Sequence, residues 1–195
     1  MSTKQPDPRV LAVLEEPTFP FDRNLHVKPL EAPVVPEPDR WGEDPAGCGA
    51  CDRADDTYLW TDDCWRLSAA NGQPLTGVVI LESRAHYDSF ADLPDDLTSS
   101  FGPVLARVER AVLASGDVGR VHLHRWGDGG AHFHVWFIPR PLGRLQMRGS
   151  NLPVWLDVLD DPGEAAHADA WARTAAVLAA TGGTSHVEPM GSAPH

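Results

Sequence analysis

Gly127-Asp128-Gly129-Gly130-Ala131-His132-Phe133-His134-Val135-Trp136-Phe137-Ile138-Pro139-Arg140 joins a glycine turn to a run in which two chemistries alternate. Side chains change face at every residue of a strand. A strand over 131–138 therefore sends Phe133, Val135 and Phe137 into a core and sets His132, His134 and Trp136 on the opposite face. Pro139 lacks a backbone donor and is expected to end the strand, while Gly127, Gly129 and Gly130 let the preceding backbone approach a ligand closely. Two imidazoles side by side can be a half-exposed polar face without chemistry, or a site.

Upstream, Gly47-Cys48-Gly49-Ala50-Cys51 places two thiols in a tight turn. A redox pair of this spacing usually follows a buried strand and opens a helix, whereas here proline and glycine precede it and the charged run 52–56 follows. As a zinc site it supplies half of a tetrahedral shell and requires two more ligands. The spacing further predicts strands at 57–60 and 64–69 around a turn at 61–63, with Cys64 a core thiol. A buried central strand is expected at 77–81, a helix at 95–115 interrupted by Pro103 and closed by Gly116, a strand at 120–126, a short helix from Leu152, and an amphipathic helix at 164–180.

The glycine turn, His-x-His, apolar pair and Pro-Arg resemble the active strand of the histidine-triad superfamily, whose pattern is His-φ-His-φ-His-φ-φ with φ apolar. Trp136 stands where that pattern has its third histidine, and Asp128 and Gly129 replace the polar pair of the hydrolase branch. The segment from Glu82 to Pro94 is also similar, with a strand, the lone His86, then an apolar-acidic-Leu turn opening a helix. The resemblance covers about residues 47–183. It implies an α+β fold, an antiparallel sheet with helices packed on one face. From the zinc-bearing members, including the galactose-1-phosphate uridylyltransferase branch, it carries over a structural Zn2+ held by Cys48, Cys51, His86 and His132. It also implies that His134 is the nucleophile, forming a nucleotidyl-histidine at the α-phosphate of a nucleotide or nucleotide conjugate. Indole donates a hydrogen bond and does not titrate, so Trp136 cannot replace the third histidine in proton transfer; the uridylyltransferase branch has glutamine there.

The turn Gly127, Asp128, Gly129 and Gly130 is expected to offer N–H groups to phosphate oxygens, and Trp136 and Arg140 to meet the substrate, with Arg144 and Arg148 following in the next loop. Two functions are carried forward: a nucleotide hydrolase or nucleotidyltransferase, and a non-catalytic nucleotide-binding zinc module that keeps the strand for structure. A rival metal site built from His122, His124, His132 and His134 lacks the carboxylate that a cupin-like strand places where Ile138 stands, and leaves the cysteines unexplained.

The 195 residues suit one domain. Nine of the 18 prolines precede Gly47, so residues 1–46 read as an extended proline-rich arm, 47–183 as the domain, and 184–195 as a flexible tail. A formal charge of −12, from 28 acidic and 16 basic residues, argues against nucleic acid as a partner. With no long apolar run and no signal-peptide pattern, no membrane partner and a cytoplasmic location are expected, where three cysteines suit metal or thiol chemistry rather than disulfides. The arm is long enough to carry substrate specificity or a homodimer contact.

Overall fold

Alternation along the strands builds one antiparallel sheet, ordered β4-β5-β3-β2-β1-β6. The strands are β1 Trp60–Thr61, β2 Trp65–Ala69, β3 Val79–Ser83, β4 Val118–His124, β5 His134–Pro141 and β6 Thr184–Ser185. The helices are α1 Pro8–Leu14, α2 Gly49–Asp52, α3 Asp95–Ala114, α4 Leu152–Leu156 and α5 Glu164–Ala179. This computed structural model describes residues 8–22, 25 and 27–188. The chain divides into two compact units, residues 1–38 with 143–160, and residues 39–142 with 161–195. In the first, the indole of Trp155 on α4 donates to the Thr18 carbonyl at 2.8 Å, and Asn151 donates to the Thr18 hydroxyl at 2.8 Å. The second unit contains the whole sheet, α2, α3 and α5.

The register sorts the residues onto two faces. Leu81 faces Val135 and Val79 faces Phe137 across β3 and β5, and Leu67 faces Leu81 across β2 and β3. These side chains join Trp60, Trp65 and Phe133 under Leu97, Val104, Val108 and Val112 of α3 and Trp171, Ala175 and Leu178 of α5. Both long helices thus lie on one face, and the fold is α+β. The indole of Trp171 donates to the Val78 carbonyl at 2.9 Å, fixing α5 to the sheet without leaving a buried donor unpaired. Beyond α5, Gly183 takes φ +79°, and a Cβ there would lie 2.6 Å from the Trp60 ring. The opposite face carries Arg66, Ile80, Glu82, His134, Trp136, His122 and His124; Arg66 pairs with Glu82, Glu82 with His134, Ile80 with Trp136 and Trp136 with His124.

Several boundaries differ from the sequence expectation, for physical reasons. Strand β5 starts at His134 rather than Ala131, because the Phe133 backbone donates to the Tyr87 carbonyl (2.6 Å) and accepts from the Ser83 N–H (3.1 Å). It runs through Pro139 to Pro141. Pairing with β3 stops at Phe137, so Pro139 has a neighbour only in β4 and its missing N–H removes no bond toward β3. Helix α3 continues through Pro103 and closes on Ser115, whose N–H and hydroxyl both donate to the Val112 carbonyl; Gly116 is not its cap. The expected arm contains α1, and its end joins the sheet unit: Trp41 bridges Gly130. The expected tail begins with β6, which pairs with β1. Residues 1–7 of the arm and 189–195 of the tail lie outside the described residues.

Phe133 is fully buried and meets Trp65, Phe90 and Phe101 at ring-centroid separations of 6.1, 5.0 and 5.7 Å. Phe133→Ala is expected to cost about 3–5 kcal/mol, read as a lower denaturant midpoint with an unchanged slope.

Candidate metal centre and the cavity beside it

Cys48 caps the start of α2 and Cys51 lies within it, His86 follows β3, and His132 precedes β5, so three distant segments meet at one point. The ligand atoms of these four residues all lie within 4.8 Å of one another. Cys48 Sγ is 3.4 Å from His132 Nδ1, and Cys51 Sγ is 3.6 Å from the same nitrogen and 3.5 Å from His86 Nδ1. Tetrahedral zinc with two sulfurs and two nitrogens sets its ligand atoms about 3.3–3.8 Å apart. The donor set therefore fits a structural zinc ion, with no position left for substrate. Its outer shell fits too. His132 Nε2 donates to the Ser83 carbonyl at 2.7 Å, which fixes the tautomer and leaves Nδ1 with its lone pair toward the sulfurs. Burial is the main cause that holds His132 below its ordinary pKa. Burial, followed by the adjoining Cys48 sulfur, pushes the Cys51 thiol up to about 11 when no cation is present. A buried imidazole at His132 and a thiol at Cys51 that resists ionisation without a cation suit a metal. All three cysteines are free of disulfides; Cys64 packs against the core, outside the cluster.

Two residues on, His134 Nδ1 lies 2.7 Å from the His132 carbonyl. A carbonyl can only accept, so Nδ1 carries the proton and Nε2 keeps the lone pair. His134 and Trp136 line a cavity of about 350 Å³ together with Trp41, Trp126, Ile80, Arg53 and Glu82. Gly129 and Gly130 also reach it. Trp41 arrives from the arm: its N–H donates to the Gly129 carbonyl at 3.3 Å, and its carbonyl accepts from Ala131 at 2.9 Å. Its indole is seated against Gly49, where a Cβ would lie 3.0 Å from the ring. Arg40 secures the same segment by donating to both carboxylate oxygens of Asp88 at 2.8 and 2.6 Å and to the Gly127 carbonyl at 2.9 Å. That guanidinium is the main reason the Asp88 carboxyl sits below its usual range. Arg125 also donates to the Asp88 carbonyl.

The remaining expected site residues fall outside the cavity. Asp128 is exposed in the turn, and Gly127 spends its carbonyl on Arg40. Arg140 is buried on the far end of β5 and donates to the Pro141 carbonyl at 3.1 Å. The four-histidine arrangement does not form among the described residues: His124 stacks on Trp126 at 4.7 Å, His122 stacks beside it, and neither joins the metal-ligating group. Burial holds both below their ordinary pKa. Arg53, Glu82, Trp41 and Trp126 were not singled out by the sequence. Arg53 was hidden in the charged run after Cys51 and Trp41 in the arm. The one available signal was Glu82, a carboxylate at the end of an otherwise apolar strand.

Solved structures similar to this chain include a Zn-bound histidine triad family protein from Mycobacterium smegmatis, 18% identical over 67% of this chain and 88% of that one, with a TM-score of 0.49. Another is a histidine triad nucleotide-binding protein from Sulfolobus tokodaii, 12% identical over 64% and 84%, with a TM-score of 0.49. A uridylyltransferase is 14% identical over 67% of this chain and 44% of that one, with a TM-score of 0.45. No protein-family model and no curated protein matches the sequence.

Protein purified without chelator is expected to carry one zinc per chain, and Cys48→Ser to lose it with a lower Tm, both checked by metal analysis and thermal unfolding. Protons compete with the metal at both imidazoles and both sulfurs, so zinc release should increase as pH falls. For the metal-free protein the sign follows from His132, His122 and His124, whose folded pKa values are depressed. Their contribution to stability is present above the unfolded value of about 6.5 and is lost as pH falls through the folded values, so Tm should decline on acidification below about pH 6.5.

Proposed function

We propose that this chain is a nucleotide-processing enzyme, a hydrolase or nucleotidyltransferase that acts at an α-phosphate through a nucleotidyl-histidine on His134. The observation that carries this reading is the 2.7 Å contact from His134 Nδ1 to the His132 carbonyl, which puts a proton on Nδ1 and leaves Nε2 as the nitrogen free to attack, in a residue lining the cavity. Attack by a neutral imidazole divides one displacement into two easier ones. Cys48, Cys51, His86 and His132 would hold the metal, which would have a structural part, since His132 fixed in this way sets the height of the adjacent nucleophile. Trp41, Trp126 and Trp136 suit the planar face of a nucleobase, Arg53 supplies a cation for phosphate oxygens, and the backbone at Gly129 and Gly130 borders the same space. The zinc-bearing domain proper then extends over about residues 47–183, with the arm contributing Trp41.

The test is a covalent mass increment on His134 after incubation with nucleoside diphosphate sugars, dinucleoside polyphosphates and adenosine phosphoramidate. His134→Ala should abolish the adduct while retaining zinc. Saturable binding of these compounds with no adduct and no turnover would instead support the non-catalytic nucleotide-binding module, which the tryptophan at position 136 favours. Trp41→Ala should raise KM roughly tenfold while changing kcat less, since an aromatic stack contributes about 1–3 kcal/mol.

A further inference from the structure

Glu82 is the Cα partner of His134 across β3 and β5 and lies on the same face, which places the two Cβ atoms about 4.5–5.5 Å apart. It is 8% exposed and lines the cavity. One carboxylate oxygen, Oε1, accepts from the Ser68 hydroxyl at 2.7 Å and lies 3.9 Å from an Arg53 nitrogen. The other, Oε2, is buried with no hydrogen-bond partner among the described residues. Burying a carboxylate oxygen without a donor is costly, and a carboxylate near the expected position of an anionic phosphate is repulsive unless a positive charge forms close by.

The mechanism read above forms such a charge. His134 Nε2 attacks the α-phosphorus and a P–N bond forms. The bond from phosphorus to the leaving group breaks, P–O in a nucleoside diphosphate sugar and P–N in a phosphoramidate, and its electron pair departs on the leaving oxygen or nitrogen. The ring retains its Nδ1 proton, donated to the His132 carbonyl, so the nucleotidyl-imidazole is a cation. Resting on the proposed function, we infer that Glu82 is a further functional residue of this site, the fixed counter-charge for the cationic nucleotidyl-imidazolium on His134. The Ser68 hydroxyl holds the carboxylate in place before the reaction, so little reorganisation accompanies the development of charge. Trp136 cannot take this part, because indole carries no charge. When water or an acceptor hydroxyl attacks phosphorus, the P–N pair returns to Nε2 and the cation beside Glu82 is again Arg53, at 3.9 Å. Glu82 therefore favours formation of the intermediate over its breakdown.

The test uses the zinc-loaded full chain mixed rapidly with UDP-glucose or adenosine phosphoramidate, following the mass increment on His134. Glu82→Gln keeps the shape and the Ser68 contact while removing the charge. It is expected to form the adduct on the order of 10²-fold more slowly at saturating probe, with half-saturation little changed and zinc content intact. Glu82→Asp and Glu82→Asn, equal in size and different in charge, supply the comparison should the glutamine variant lose zinc. A slower asparagine variant supports the inference, because a purely structural role would not separate the two. Adduct formation in Glu82→Gln at the wild-type rate, or equal rates for aspartate and asparagine, would overturn it while leaving His134 as nucleophile. Absence of any adduct on the wild-type protein with both probes would remove the proposed function, and this inference with it.

Discussion

His132 is the residue on which the site depends, because three of its polar groups are committed at once. Nδ1 faces the sulfurs of Cys48 and Cys51, Nε2 donates to the Ser83 carbonyl, and its own carbonyl accepts from His134. The first contact ties the Cys-x-x-Cys turn to the entrance of β5. The second ties that entrance to the end of β3. The third fixes which nitrogen of His134 is protonated. A metal at the first contact would be felt two residues away as orientation, with no bond to His134. Outer-shell partners of metal-bound histidine usually serve the metal; here the metal's histidine also serves its neighbour.

The period of the strands explains why core and site can share so short a segment. Phe133, Val135 and Phe137 belong to the packed face, while His134 and Trp136 border the cavity. The same rule applies across the sheet, with Leu81 under α3 and α5 and Glu82 on the other side. A slip of one residue in the β3–β5 register would exchange the two sets, so burial of the apolar face also specifies the position of His134.

This is why so much of the arrangement was readable from the sequence. Alternation at 131–138 placed both histidines on one face, and the motif resemblance gathered Cys48, Cys51, His86 and His132, which the structure brings together. What was not readable has a common cause. The start of β5 is set by the Tyr87 and Ser83 backbone, and the cavity takes in Trp41, Arg53, Glu82 and Trp126 from four other segments. Contacts between residues far apart in sequence leave no local period. Arg140, close to the histidines in sequence, is carried by six residues of strand about 20 Å from His134 along β5.

Trp41 shows how a segment without periodicity becomes part of a site. Its neighbour Arg40 forms a two-pronged ion pair with Asp88, yet both side chains are partly exposed, at 27% and 37%, where solvent screening leaves such pairs weak. The charge pair alone therefore does not hold the segment. The backbone bonds from Trp41 to Gly129 and Ala131 add directionality, and the absence of a side chain at Gly49 lets the indole settle onto the Cys-x-x-Cys turn. Metal centre, glycine turn and arm thus share one contact surface. A shift of the cysteine turn would move the floor beneath Trp41, and with it one wall of the cavity that His134 lines.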